Sequence, residues 1–243
     1  MRIIRIYQPG QYDVGQTIEL TPAASQHVAV VLRMTRDDQL TLFCGDDREF
    51  LATIIDANKK KVTVSIDDVF AVTRESPRKI HLAQALSKGE RMEFVIQKSV
   101  ELGITSIFPV ITSHCVVRLD EERLNKKLLQ WQAIAISACE QSHRTQIPMI
   151  HPVASFEHFI KHCQTTTKLV LDTKMSQPLQ DCDVKEGDIA LLIGPEGGLS
   201  ETEVLAAKEH GFQSLRLGPR ILRTETAAIV AIGIMQAWFG DLL

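Results

Sequence analysis

Ile193-Gly194-Pro195-Glu196-Gly197-Gly198 and Leu217-Gly218-Pro219-Arg220-Ile221-Leu222-Arg223-Thr224-Glu225-Thr226-Ala227 are two glycine-proline loops with one amphipathic segment between them. Each follows a run that reads as a buried strand, Asp188–Ile193 before the first and Ser214–Leu217 before the second, and each leads towards a helix. Strands that open into glycine loops are where open α/β sheets place their ligands. A single Gly-Pro turn would be unremarkable; two adjacent ones with charged residues at both point to one site with two walls. No Lys-Ser or Lys-Thr follows the first loop's glycines, so it is not a P-loop, and G-x-G-x-x-G is absent. What remains is backbone that can approach a ligand closely. Glu196 stands beside the first loop, and Arg223 and Glu225 are candidates to face a second, reacting molecule.

Outward from these loops the pattern is strand then helix. Ser200-Glu201-Thr202-Glu203 matches a capping box, and the helix it opens ends near Gly211. The last helix, about Glu225–Phe239, is apolar on most sides. Upstream, Ile80–Leu86, Ser106–Ile111 and Lys168–Asp172 read as strands. Arg91–Leu102, Glu122–Ser142 and Ser155–His162 read as helices, the first with Met92, Val95, Ile96, Ser99 and Val100 at helical spacing and Gly103 at its end. This alternation argues for a parallel sheet covered on both faces.

Before Val72 the chain is mostly β, with runs at Arg2–Tyr7, Gln16–Leu20, Gln39–Phe43, Glu49–Ile55 and Lys61–Val69. One helix interrupts them, capped by Thr21, with Pro22 in its first turn and Val28, Val31 and Leu32 as an apolar stripe. Five short strands and a helix suggest a small barrel. The polar stretch 73–78 reads as a linker, which gives a β-rich domain over 1–72 and an α/β domain over 73–243.

Of the 243 residues, 44% are hydrophobic and 23% charged, ordinary for a globular protein with a core. No apolar run reaches the ~20 residues of a membrane span, and the N-terminus lacks the apolar core of a signal peptide, so a cytoplasmic protein with no membrane partner is expected. The five cysteines are scattered and form no CxxC pair, and His158 and His162 stand at i and i+4 but the first is not followed by Glu, so no metal site is expected. Net charge is −3; up to Val72 it is 8 − 10 = −2, and beyond it 19 − 20 = −1. Neither part is globally basic, but Arg2, Arg5, Arg33, Arg36, Arg74, Arg78, Lys79, Lys88 and Arg91 cluster locally and would suit a phosphate backbone. Cys139-Glu140-Gln141-Ser142-His143-Arg144 closes the long helix. Arg144 there is a candidate anion contact, while Cys139 and Ser142 have no obvious base beside them.

Taken with the two loops, Lys88-Gly89-Glu90-Arg91-Met92-Glu93, Gln97-Lys98-Ser99-Val100-Glu101-Leu102-Gly103 and Cys139-Glu140-Gln141-Ser142 span nearly the whole second domain. In that order they resemble the SPOUT superfamily of S-adenosylmethionine-dependent RNA methyltransferases, close to its 16S ribosomal RNA uridine-N3 methyltransferase family. The first domain looks like that family's PUA-like RNA-binding barrel. One departure is His143, where the family has a small residue, often Gly. The resemblance implies a trefoil knot in the parallel-sheet domain and a homodimer whose partner chain borders the site. It also implies S-adenosyl-L-methionine as cofactor and 16S rRNA of the small ribosomal subunit as substrate, methylated at N3 of uridine 1498.

On that resemblance the cofactor is held by Leu171, Gly194, Pro195, Glu196 and Gly198 from one side and Leu217, Gly218, Ile221, Leu222 and Thr226 from the other. Arg223 or Arg144 would stabilise the uracil anion, and Glu140 or Glu225 would accept the proton, in no ranked order. RNA contacts fall to Arg2, Arg5 and Arg33 in the first domain and Arg78, Lys88 and Arg91 in the second. Three alternatives stay open: a methyltransferase of this type acting on another RNA nucleotide, a non-catalytic RNA-binding protein, and an α/β enzyme acting on a small molecule.

Overall fold

In the computed structural model, residues 4–116, 120–174 and 176–243 are described. The chain forms two units, one comprising the sequence up to Glu75 together with Cys139–Ile147, the other Ser76–Ala138 with Pro148–Leu243. The first unit thus takes in a segment from beyond the linker, where the sequence predicts a domain ending at residue 72.

The first unit is built on β1 (Arg5–Tyr7), β2 (Thr17–Glu19), β3 (Gln39–Phe43), β4 (Arg48–Ala57) and β5 (Val62–Ala71), in the sheet order β1-β3-β4-β5-β2. All neighbours are antiparallel except β1 and β3. Period-two alternation places Phe50, Ala52 and Ile54 of β4 and Val62, Val64 and Ile66 of β5 inside. They share one core with Ile6, Leu40, Leu42 and Val28. The two edge strands are bridged by the buried amide of Gln8, whose Nε2 donates to the Glu19 carbonyl (3.5 Å) while its Oε1 accepts the Thr21 N–H (2.9 Å). A side chain thus closes the barrel where, among the described residues, no β1–β2 ladder does.

Helix α1 (Pro22–Gln26) starts as expected, with the Thr21 hydroxyl accepting the Ala24 N–H. The expected apolar stripe does not continue: Val28 is buried, but Val31 is 67% and Leu32 37% exposed. The helix widens to a π-helix over His27–Val31, with the Leu32 N–H on the His27 carbonyl (2.9 Å). An i→i+5 turn carries an extra residue, so the side chains after it rotate off the core face. Arg33, at φ +55°, ends the turn.

The second unit is a parallel sheet of β6 (Ile80–Ala85), β7 (Ser106–Ile111), β8 (Met149–Ile150), β9 (Ala154–Ser155), β10 (Thr167–Leu171), β11 (Ile189–Ile193) and β12 (Gln213–Leu215). Its order is β12-β10-β11-β6-β7-β8, with β9 also on β7. All five residues of the central β11 are buried, as an apolar run between two covered faces should be. Helices α4 (Phe156–His162) and α5 (Glu201–Glu209) cover Ala83, Val110, Val170 and Leu192 with Phe156, Phe159 and Ala207.

Helix α2 (Arg91–Glu101) buries the apolar positions expected of it, and α3 (Glu121–Ser142) is the long helix. Helix α6 (Thr224–Phe239) packs on α2, β6 and β11. Its buried Gln236 donates to the Leu102 (2.9 Å) and Gly103 (3.3 Å) carbonyls and accepts the Ser76 hydroxyl (2.7 Å). Among the described residues no helix is long and apolar enough to cross a membrane.

Candidate active site

Because the strands run parallel, their carboxyl ends share one edge of the sheet, where side chains and loops from separate parts of the chain meet. Register puts Ile193 beside Gln84, Leu192 beside Val170 and Leu171 beside Leu215. The segments that leave this edge are Leu86–Glu90, Gly194–Leu199 and Arg216–Arg223, so the expected cofactor residues on Leu171 and on both glycine loops lie at strand ends that are neighbours in the sheet.

The first loop requires glycine for two different reasons. A Cβ on Gly194 would stand 2.9 Å from the Leu199 nitrogen and 3.0 Å from the Gly198 carbonyl carbon, both backbone atoms. Gly198 instead has open space but a φ of +71°, where an L-residue is strained. The loop closes on the Gly198 N–H to Pro195 carbonyl bond (2.8 Å), and His114 Nδ1 lies 3.0 Å from the Gly198 carbonyl, in donating position. In the second loop Gly218 has φ +79°.

A buried hydrogen-bonded chain joins the loops. The Gln84 Nε2, fully buried in β6, donates to the Thr224 hydroxyl (2.9 Å), which donates to the Gly194 carbonyl (2.6 Å). Thr224 is the first residue of α6, so a strand, the first loop and the end of the second are held in one arrangement. Neither Gln84 nor the Thr224 hydroxyl belongs to the site that the sequence predicts. Gln84 stands among the mostly apolar residues of β6, and its partner lies 140 residues away in the chain, beyond the reach of any local pattern.

Two glutamates brace the same edge. Glu203 accepts the Ser113 N–H (2.7 Å) and hydroxyl (2.9 Å) and, closing the capping box, the Ser200 N–H (2.8 Å). Burial alone would raise its pKa, but these donors outweigh burial and hold it below the ordinary value. Glu196 accepts the Arg91 guanidinium and the Lys88 N–H (3.3 Å). Here too burial opposes the donors, and the net shift is downward. Glu196, expected to bind the cofactor, is therefore an anchor for the segment before α2. Arg91, expected to contact RNA, is its ion-pair partner.

At the mouth of the edge the groups are free. Arg223 is exposed and its guanidinium has no hydrogen bond or ion pair among the described residues; it occupies the N-cap of α6 without capping it by its side chain. Glu225, two residues on, has a buried Oε2 with no partner among the described residues. The first N–H groups of α6 are left for solvent or ligand. Leu217 and Leu222 are half-buried, and Ile221 is 87% exposed.

The other expected residues have different surroundings. Arg5, expected to touch RNA, is buried in the first unit. It pairs with Glu49 (2.7 Å) and donates to the Cys139 (2.9 Å) and Arg144 (3.0 Å) carbonyls, so it cannot face a phosphate. Arg144, expected as an anion stabiliser, is buried against Glu75, its Nε donating at 3.0 Å. Glu140 accepts the Tyr7 N–H (3.0 Å), and burial raises its pKa. The Cys139 thiol is pushed up to about 12 by burial, which removes it as a nucleophile. In the second unit, Arg78 donates to the Lys185 carbonyl and lies over the Phe239 ring. Arg33 and Lys88 are exposed as an RNA contact requires; Arg2 lies outside the described residues. No group of three or more His, Cys, Asp or Glu among the described residues could hold a metal ion.

Residues 74–236 match the model of an RNA methyltransferase domain and 20–67 that of an RNA methyltransferase PUA domain. The chain is similar to the ribosomal RNA small subunit methyltransferase E of Buchnera aphidicola, 38% identical over 99% of this chain and 98% of that one. The protein of that name from Bacillus subtilis is 32% identical over 93% and 92%. Among solved structures, a methyltransferase from Legionella pneumophila in complex with S-adenosylmethionine is 53% identical, with a TM-score of 0.97 over the full length of both chains. The ribosomal RNA small subunit methyltransferase E of Neisseria gonorrhoeae, bound to S-adenosylmethionine, is 39% identical, with a TM-score of 0.92 over the full length of both.

Proposed function

Because the chain belongs to the ribosomal RNA small subunit methyltransferase E family, we propose that it methylates N3 of a uridine in 16S rRNA, at the position the resemblance implies, uridine 1498. It is an S-adenosylmethionine-dependent enzyme of small-subunit ribosomal RNA; the atom and the nucleotide are the proposal. The observation that carries the reading is the pairing, at one sheet edge, of two glycine loops locked by Gln84 and Thr224 with an uncommitted Arg223 and Glu225.

N3 of uridine bears a proton between two carbonyls and must lose it before it can act as a nucleophile. The two loops would hold S-adenosylmethionine by backbone groups around Gly194, Gly198, Gly218 and Leu222, with Leu171 and Leu217 as apolar walls. Bound there, the cofactor supplies an electrophilic methyl group. Glu225, whose Oε2 is buried and unpartnered among the described residues, would take the N3 proton. Arg223 stabilises the negative charge this leaves on the uracil carbonyls, an effect worth roughly 10²–10³ in rate for one well-placed donor. Glu140 and Arg144 are held by partners of their own in the first unit and are left out of this assignment. The first unit, PUA-like, contributes phosphate contacts through exposed residues such as Arg33.

The assignment extends to two features of the family. The chain leaves β11, runs out to edge strand β12 and returns to pack α6 on β6 and β11, a path that supports the trefoil knot. Helix α6 and the tail beyond it present half-buried Ile229, Val230 and Ile234 and exposed Trp238 and Leu242, an apolar surface that supports a homodimer.

The decisive experiment incubates the protein with small ribosomal subunits, with free 16S rRNA and with labelled S-adenosylmethionine, then maps the product. Label at N3 of uridine 1498 is the expected result. Label elsewhere would replace the nucleotide assignment, and no label on either substrate would overturn the reading.

A further inference from the structure

The opposite end of the same sheet carries a second concave site. A cavity of ≈ 670 Å³ opens where the strands begin, floored by His81 of β6, Phe108 of β7 and Ala190 of β11. Its walls are the segment from His151 to Ala154 and the α4 side chains His158, Phe159 and His162, with Asp188 at the rim. It lies beside the seven-residue α4, on the face of the sheet that carries His81 and Ala190. Ala190, in register with His81, adds a further gap. The first glycine loop leaves the other end of β11, about 13 Å away along the strand.

The lining has a definite chemistry. Four of the chain's eight histidines meet here. His81 is fixed at both nitrogens, with Nδ1 2.7 Å from the Ser106 hydroxyl and Nε2 3.4 Å from an Asp188 oxygen. His151 lies flat on Phe108, with ring centroids 3.8 Å apart and planes 6° from parallel. Burial, helped by His81, lowers the pKa of His151, which favours the neutral ring with one donor and one acceptor. Among the described residues no Lys or Arg lines the cavity, and Asp188 is the one carboxylate. A phosphate or any other anion would therefore meet no permanent counter-charge and would lie near a carboxylate, which disfavours nucleotides and an RNA strand relative to an uncharged ligand. Stacked rings and an apolar floor favour a flat ligand, imidazole edges favour ring nitrogens, and a half-exposed carboxylate accepts hydroxyls. The volume falls within the range of small-molecule sites.

We infer that this cavity is a second ligand site, separate from the glycine loops, for an uncharged nitrogen heteroaromatic of nucleoside size. The ring lies along the Phe108–His151 pair, its edge meets the imidazoles, and its sugar hydroxyls reach Asp188.

The test is calorimetric titration of adenosine into protein already saturated with S-adenosylmethionine, so that the first site is filled; that initial titration separately tests the methyltransferase reading. Adenosine should bind in one saturable event and shift the imidazole NMR signal of His151, and adenosine monophosphate should bind at least tenfold more weakly. His151→Phe, which keeps the stacked plane but removes the ring nitrogens, should weaken adenosine about tenfold while leaving S-adenosylmethionine affinity and Tm unchanged. Asp188→Asn, at a half-exposed position that does not endanger folding, should weaken adenosine several-fold and leave adenine unaffected. No saturable binding of adenosine, equal binding of the monophosphate, or indifference to Asp188→Asn would each overturn the proposal.

Discussion

The segment Cys139–Ile147 and the loop Arg216–Arg223 both set an arginine beside the end of a helix, yet they use it in opposite ways. Arg144 is buried and paired with Glu75, and its carbonyl receives the equally buried Arg5. Arg223 is exposed, unpaired among the described residues, and two positions from a carboxylate that is also unpaired. A guanidinium enclosed by its own fold organises that fold; one held at a mouth with no partner is available to a substrate. The charge is the same, and the surroundings decide the role.

The sharpest way to break this contrast is to remove each arginine in turn. Arg144→Ala takes from the half-buried Glu75 its counter-charge, leaving it the Thr145 and Gln146 N–H groups, and should cost about 3 kcal/mol of stability, a large share of the ~5–15 kcal/mol typical of a folded protein; denaturant melts measure it, and a loss under about 1 kcal/mol would mean the pair does not organise the unit. Arg223→Ala should leave the melt unchanged, lower the rate of methyl transfer by roughly 10²–10³ and keep S-adenosylmethionine affinity within a few-fold. Equal losses of rate and affinity would place Arg223 on the cofactor instead.

Glu203 sharpens the contrast with a carboxylate whose partners are all neutral. Its folded pKa is depressed, so its stabilisation is present above the unfolded pKa of about 4.3 and is lost as pH falls through the lower folded value. Glu203→Gln should therefore be less stable by roughly 1–3 kcal/mol at pH 7, with the gap closing below about pH 4; a pH-independent gap would show that ionisation is irrelevant. The smallest effect belongs to His143, at φ +64°, where a β-carbon is strained. His143→Gly should be neutral or add up to about 1 kcal/mol, and a clear loss would show that the imidazole has a role of its own.

The φ of His143 also gives the physical content of the family departure seen in the sequence: a small residue suits that position because the helix end turns left-handed there. The same segment bears on how RNA binding is tested. Removing residues 1–72 would strip Cys139–Ile147 of Tyr7, Arg5 and Asp47, with which it is hydrogen-bonded. Charge reversal at exposed Arg33 is the cleaner measurement, and it should weaken RNA binding and reduce its salt dependence.

Local rules made much of the molecule legible. Period-two alternation marked β3, β4 and β5, and helical spacing marked the buried face of α2. Glycine, proline and the Ser200–Glu203 box marked where strands stop and α5 begins, because a missing Cβ, a fixed φ and a capping hydroxyl act over a few residues. The same rules failed at His27–Val31, where one extra residue in the turn rotated Val31 and Leu32 into solvent. They were also silent on Gln84, since an amide at one position says nothing about a threonine 140 residues away.

Taken alone, the sequence determined the element types, the two glycine loops and the resemblance to RNA methyltransferases. Only the tertiary structure decided which charges are free. Arg5, Arg144 and Glu196 looked as available as Arg223 and Glu225. Availability depends on which donors and acceptors long-range folding brings within hydrogen-bond reach, and no local pattern encodes that.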